Sequence, residues 1–226
     1  MSNEKKITRR AMLQVGLGAA AGIATGTLLA QTPEEASCGT PAQTEGPFYP
    51  RHRQADRDVD LTRIEGRTAS AVGEVIYVSG RVLDNHGEPI AGAWVDVWQA
   101  NHHGRYDHED DPNPAPLDPN FQGWGQVKTD ASGAYRFRTI TPGAYPVDDK
   151  WSRPPHIHFK VSKRGYHEVT TQMYFEGHAL NEKDQLLMAL SEPERKKVVV
   201  AFHSTDDAPD GRHGQFDLEL CRVREG

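Results

Sequence analysis

Short runs of alternating apolar and polar residues, separated by Gly, Pro and Asp turns, recur from residue 72 to the end of the chain and constrain its fold more than any other feature. Val75-Ile76-Tyr77-Val78 and Gly80-Arg81-Val82-Leu83 lead into the turn Asp84-Asn85-His86-Gly87. Ala93 to Trp98 alternates with Ala93, Val95 and Val97 on one face, and Ala134 to Arg138 sets Tyr135 and Phe137 against Arg136 and Arg138. His156–Val161, Val169–Phe175, Val198–Phe202 and Phe216–Leu220 complete the set. Successive side chains of a strand point to opposite sides, so each run has one core face, and many such strands make an all-β sandwich or barrel. A helix is expected near Glu182–Leu190 with Asn181 as N-cap, and a second short turn near Pro193.

The chain has 226 residues, enough for one sizeable core. Residues 1–30 read as a signal rather than as fold. Arg9-Arg10 precede a weakly apolar, Gly/Ala-rich run to Ala30, which fits a twin-arginine export signal and a periplasmic or extracellular address. The alternative is an uncleaved membrane anchor, although the glycines make the run a poor one. Losing Glu4, Lys5, Lys6, Arg9 and Arg10 with that signal takes the net charge from −6 to −9. An acidic mature chain argues against a nucleic-acid partner, and no membrane contact is expected once the signal is gone. Residues 31–70 read as an extended arm and 71–226 as one β-sandwich domain. The two cysteines, Cys38 and Cys221, can form a disulfide in an exported protein or remain thiols.

Two features carry chemistry. In PPHIHFKV, residues 154–161, His156 and His158 share one strand face about 7 Å apart, with Ile157, Phe159 and Val161 on the other. Such a pair is a metal site or simply two polar residues facing water. Residues 101–125 form a long charged, proline-rich loop containing His102, His103, Tyr106 and His108 as possible ligands; its composition also fits a solvated loop.

GRVLDNHGEPIAGAWVDVWQ and KTDASGAYRFRTITPGAYP resemble prealbumin-like modules, which are structural and do no chemistry. WQANHHGRYDHEDDPNPAPLDPNFQGWGQ, TPGAYP, WSRPPHIHFKV and TTQMYFEG, occurring in that order, together resemble the intradiol ring-cleaving dioxygenases. The likeness runs from about residue 74 to 180, and more weakly to the C-terminus, and is nearest to the iron-bearing β chain of the protocatechuate-cleaving branch. TEGPFYP in the arm resembles the family's N-terminal segment near the active site.

The resemblance implies a non-haem Fe(III) held by Tyr106 and Tyr145 as tyrosinates and His156 and His158 as imidazoles, with a hydroxide completing the charge balance. It implies a catechol-type diol and O2 as substrates, with cleavage between the two hydroxylated carbons to a muconate-type diacid. It makes Tyr145 the ligand that the diol displaces, Arg153 a source of positive charge for the activated ring, and Gln172 its hydrogen-bonding companion. The short interval between Tyr145 and His156, with no helical N-terminal dimerisation domain in sight, favours the protocatechuate-like branch. A family tryptophan is replaced by Val147, so the pocket wall is altered, and Tyr49 is a candidate for the pocket mouth. Export points to an extracytoplasmic substrate such as a lignin-derived or substituted catechol. A homo-oligomer is compatible with a single-chain enzyme. The alternatives are a non-catalytic prealbumin-like structural or binding module, or a site holding another metal.

Overall fold

A computed structural model describes residues 39–51, 56–206 and 208–223. The expected export signal, the first part of the arm and Cys38 lie outside the described residues. Among the described residues no helix is long and apolar enough to cross a membrane.

The architecture is all-β. In chain order the strands are β1 (Val75–Asp84), β2 (Trp94–Trp98), β3 (Trp124–Lys128), β4 (Ala134–Ile140), β5 (Tyr145–Pro146), β6 (Ser152–Arg153), β7 (His156–Ser162), β8 (Val169–Phe175), β9 (Val199–Val200), β10 (Phe202–His203), β11 (Arg212–Gln215) and β12 (Leu218–Leu220). One five-stranded sheet is built around β1, which pairs antiparallel with β4 and parallel with β11 and then β12 along its other edge. The second sheet runs β3-β2-β7-β8-β9, and β5 and β6 form a small separate hairpin.

Strand β1 continues through the Ser79–Gly80 position where the sequence shows two runs. Gly80 makes this possible: a Cβ there would strike the carbonyl of Phe216, where the chain crosses from β11 to β12. The apolar faces of both sheets meet in one core. Val78, Val82, Tyr135 and Phe137 from the first sheet join Val95, Val97, Ile157, Phe159, Val161 and Met173 from the second. Phe159 is fully buried, its ring 5.0 Å from Phe216 and 6.1 Å from Tyr135. Each such side chain contributes roughly 1.5–3 kcal/mol by leaving water.

Residues 39–51 and 56–70 carry no long strand but are bonded to the strands. Gln43 N donates to Thr170 O, Thr171 Oγ1 donates to Pro41 O, and Leu61, fully buried, donates from its backbone to Arg138 O. Cys221, just after β12, is disulfide-bonded.

The helix expected over Glu182–Leu190 is corrected. A 3-10 turn, Asn181–Lys183, is followed by a four-residue helix α1, Gln185–Met188, whose N-cap is Asp184 rather than Asn181. Asp184 Oδ1 accepts from Leu186 N and Leu187 N, which leaves its second oxygen free for another partner. Helix α2, Glu192–Val198, starts at Ser191 with Pro193 in its first turn and takes up Val198, so the strand expected over Val198–Phe202 is reduced to β9 and β10. Strands β3 and β11 were not visible as apolar alternation because WGQVK and RHGQ contain little of it.

Candidate metal centre

The site is assembled on the face of β7 away from the core. Strand pairing sets His158 opposite Trp98 on β2 and Gln172 on β8. The expectation that this face could be open to water is not met: His156 and His158 are 2% and 3% exposed. The loop after β2 and residues 40–49 cover them.

That loop is ordered by its own acids and amides rather than solvated by them. Asn101 Oδ1 accepts from His103 N and Arg105 N, and Asp111 Oδ2 accepts from Tyr106 N at 2.7 Å. Asn113 Nδ2 donates to Gly104 O, and Arg105 Nη1 donates to Ala115 O. Side chains of this type mimic turn backbone bonds and hold a chain without regular structure. Gly104 (φ +79°) packs so closely on Ala144 that a Cβ there would strike the Ala144 carbonyl. This contact brings Tyr106 and Tyr145 together, their rings 5.7 Å apart.

Four donor atoms converge. Tyr106 OH lies 3.3 Å from His156 Nε2 and 3.2 Å from His158 Nε2, and Tyr145 OH lies 3.5 Å from His156 Nε2. His156 Nδ1 donates to Pro154 O at 2.7 Å, which leaves the Nε2 lone pair facing the centre. The His158 ring stacks on Trp98 at 4.7 Å. The three loop histidines sit elsewhere. His102 and His103 are exposed and pack edgewise on each other, while His108 packs on Phe48 and accepts from Asp110 N.

Burial keeps all four groups uncharged. It pushes the Tyr106 phenol well above the ordinary value, reinforced by the neighbouring Tyr145, and it raises Tyr145 as well. Burial, followed by the positive charge of Arg153, holds His156 well below its usual range and His158 down at about 3. Neutral imidazoles are the form that binds a metal, and a phenolate becomes affordable here only beside a cation.

The donor set fits a metal ion. The contacts of 3.2–3.5 Å are long for hydrogen bonds. Donors bound about 2.1 Å from one ion would stand roughly 3.0–3.5 Å apart. Among the described residues no group of three or more His, Cys, Asp or Glu could hold a metal ion, so the two phenols are essential to this set.

Behind the donors lies a buried polar network. Arg153 Nε donates to Asp184 Oδ2 at 2.6 Å, and its Nη2 donates to Gln172 Oε1 at 2.7 Å and to Tyr174 OH at 3.1 Å. Gln172 Nε2 donates to Thr44 O and Tyr174 OH donates to Gln43 Oε1, so the arm closes the network. Gln172 is fully buried and its amide is taken up by these partners. Asp184 and Tyr174 were missed in the sequence; an Asp directly before Gln185-Leu186-Leu187 was a readable cap signal, but its pairing with Arg153 was not.

A cavity of about 690 Å³ opens onto Tyr145, His158 and Arg153 and is walled by Phe48, Val147 and Trp151. Tyr49 is not part of its wall. It stands edge-on to Trp98 with the Lys160 ammonium over its ring.

Known proteins resemble this chain over most of its length. The protein-family model described as Dioxygenase matches residues 44–221. The chain is 40% identical over 178 residues to the protocatechuate 3,4-dioxygenase beta chain of Burkholderia cepacia, covering 77% of this chain and 75% of that one. It is 32% identical over 180 residues to catechol 1,2-dioxygenase 2 of Acinetobacter lwoffii, covering 71% of this chain and 62% of that one. Among solved structures, the dioxygenase domain of a dioxygenase carbohydrate-binding protein fusion from the cellulolytic bacterium Streptomyces sp. SirexAA-E superposes with a TM-score of 0.60 at 31% identity, over 81% of this chain and 99% of that one. Catechol 1,2-dioxygenase from Pseudomonas arvilla C-1 superposes with a TM-score of 0.64 at 28% identity, over 85% and 66%. On the matched family model and the extent of these alignments, the chain belongs to the intradiol ring-cleaving dioxygenases.

Proposed function

We propose that this enzyme holds a non-haem Fe(III) on Tyr106, Tyr145, His156 and His158 and uses O2 to open a catechol-type diol between its hydroxylated carbons, giving a muconate-type diacid. The observation that carries the reading is a chain of three contacts of 3.2–3.5 Å, Tyr145 to His156 to Tyr106 to His158, that links two phenol oxygens and two imidazole nitrogens. Relatives named for protocatechuate and for catechol share a vicinal diol as substrate, and that diol is what the centre would take. We read the two sheets and their shared core as a single sandwich of the prealbumin type.

Bound there, the ferric ion would supply a Lewis acid that receives both diol oxygens and makes the ring reactive to O2. The side chains divide the remaining work. Tyr145 lines the cavity, so its Oη, a phenolate only while it holds the cation, could take a proton from an arriving diol. Tyr106 is buried away from the cavity and tied at its backbone by Asp111, which suits a ligand that stays in place. The Pro154 carbonyl holds the His156 tautomer. Arg153, paired with Asp184, would present its guanidinium dipole at the cavity wall, where negative charge develops on the ring. Trp98 and Phe48 keep water from the donors.

Purification tests this directly. The protein should be red-brown with about one iron per chain, and a panel of catechol, protocatechuate, hydroxyquinol and bulkier diols, scored by oxygen uptake, should include substrates that yield ring-opened muconate-type acids. A colourless protein inert towards every diol would discard the reading, and stoichiometric zinc would support a different metal. The twin-arginine signal is proposed to export the enzyme to the periplasm or beyond. Cell fractionation of the intact chain and of an Arg9→Lys, Arg10→Lys variant checks that address.

A further inference from the structure

The cavity beside the donor atoms carries a charge pattern that bears on what it can admit. Its volume of about 690 Å³ lies within the range of roughly 300–1,000 Å³ that encloses drug-sized ligands, several times the need of one dihydroxybenzene ring. Phe48, Val147, Trp151 and Leu186 give it apolar and aromatic walls. Among the described residues its charged lining is four carboxylates, Asp110, Asp111, Asp148 and Asp149, and the guanidinium of Arg153.

That guanidinium is already matched. Its Nε is bonded to the buried Asp184 carboxylate, and its Nη2 to Gln172 and Tyr174. The acids are less well neutralised. Asp111 is held by the backbone of Tyr106 and Asn113, and Asp148 by the backbone of Lys150 and Trp151. Those bonds fix the carboxylates without cancelling their charge. Asp110 pairs with Arg51, which is more than half exposed and therefore screened. Asp149 is exposed. Lys150, in the same turn, is exposed and does not line the cavity. A substrate carboxylate entering here would lose water among like charges and meet no unmatched cation among the described lining residues. An uncharged aromatic or alkyl substituent would instead bury its surface on Phe48, Val147 and Trp151.

We propose that the cavity selects catechols whose ring substituent is large and uncharged, and that it discriminates against carboxylated catechols. The inference rests on the dioxygenase reading for the orientation of the diol.

The test compares 3-(3,4-dihydroxyphenyl)propanoate with its primary amide and its N-benzyl amide. The three share one diol and a ring insulated from the substituent by two methylenes. Anaerobic calorimetric titration of the full-length protein reads binding without turnover. The primary amide should bind at least tenfold tighter than the acid, and the N-benzyl amide tighter again. Added NaCl should raise the acid's affinity towards that of the amide while leaving the amide's unchanged. Asp149→Lys, an exposed turn substitution, should narrow the gap from the acid side only.

Equal or tighter binding of the acid overturns the inference, as does failure to bind any of the three. A gap unaffected by both salt and Asp149→Lys overturns its electrostatic basis, and rejection of the N-benzyl amide overturns the size element. Oxygen uptake on the same compounds separates the two readings. Amides bound but never cleaved leave the selectivity standing and remove the dioxygenase reading. Cleavage with the acid preferred does the reverse.

Discussion

Strands β1 and β7 occupy the centres of their sheets, and only β7 is covered on both sides. On β1 burial alternates: Ile76, Val78 and Val82 are buried, and Tyr77, Ser79 and Arg81 look outwards. That outer face is closed by partly exposed polar contacts. Arg138 bonds to Asp60 and Asp210, and Tyr77 OH donates to Asp210. On β7 the first four residues are all buried. Its second face is polar, yet water is replaced by Tyr106, Trp98 and the Arg153–Asp184 network. The lesson is energetic. A polar strand face left in water costs little and contributes little, whereas one taken out of water must be satisfied from within, and a ring of unsaturated donors is then best satisfied by a cation.

The sharpest way to break the contrast is to delete a donor. His158→Ala should abolish stoichiometric iron and the visible colour and lower turnover at least about 1,000-fold, or roughly 4 kcal/mol, with unchanged far-ultraviolet circular dichroism. A protein that keeps its iron and rate after this change would refute the assignment of His158.

Next come two substitutions of similar thermodynamic weight. Asp184→Ala leaves Arg153 buried without its countercharge and should cost about 3–5 kcal/mol in urea unfolding. Asp184→Asn, which keeps a hydrogen-bond acceptor, should cost less. On the opposite face, Phe159→Ala should also cost about 3–5 kcal/mol, yet leave iron stoichiometry near one per folded chain. Loss of metal in step with stability in both cases would mean that the two faces are not separable.

Acid offers a subtler probe, read on metal-free protein. The folded His158 titrates at about 3 because of burial, against an unfolded value near 6.5. The unfolded chain therefore binds the extra proton between those values. This contribution to stability is fully present above about pH 6.5 and is lost as pH falls towards 3. His158→Gln should flatten that part of the stability profile; an unchanged slope would assign it to other groups. The smallest effect belongs to the outer face of the first sheet. Arg138→Ala removes ion pairs whose carboxylates are 35% and 51% exposed and should cost about 1 kcal/mol or less, with no change in iron or turnover.

Much of this was legible locally. The alternation of Ile157, Phe159 and Val161 assigned the core side of β7, and the resemblance of the motifs around Tyr106, Tyr145 and His156–His158 to a known family named four candidate ligands. Local patterns failed where partners were distant. The 101–125 segment has the composition of a solvated loop, but its acids and amides serve as internal hydrogen-bond acceptors. Asn181 looked like a cap, but Asp184 takes that role while also holding Arg153 from 31 residues away. Tyr49 looked like a mouth residue, while the neighbouring Phe48 is the one that reaches the cavity.

Sequence alone therefore indicated the β architecture through side-chain alternation and the candidate donors through a family resemblance of short motifs, since both depend only on covalent neighbours. Tertiary structure decided that the histidine face would be dry, that two phenols would reach it, and that the described cavity wall would set four acids around the Asp184-paired Arg153. Those outcomes depend on segments tens of residues apart being pressed together, and the backbone contact between Gly104 and Ala144 is where that proximity is enforced.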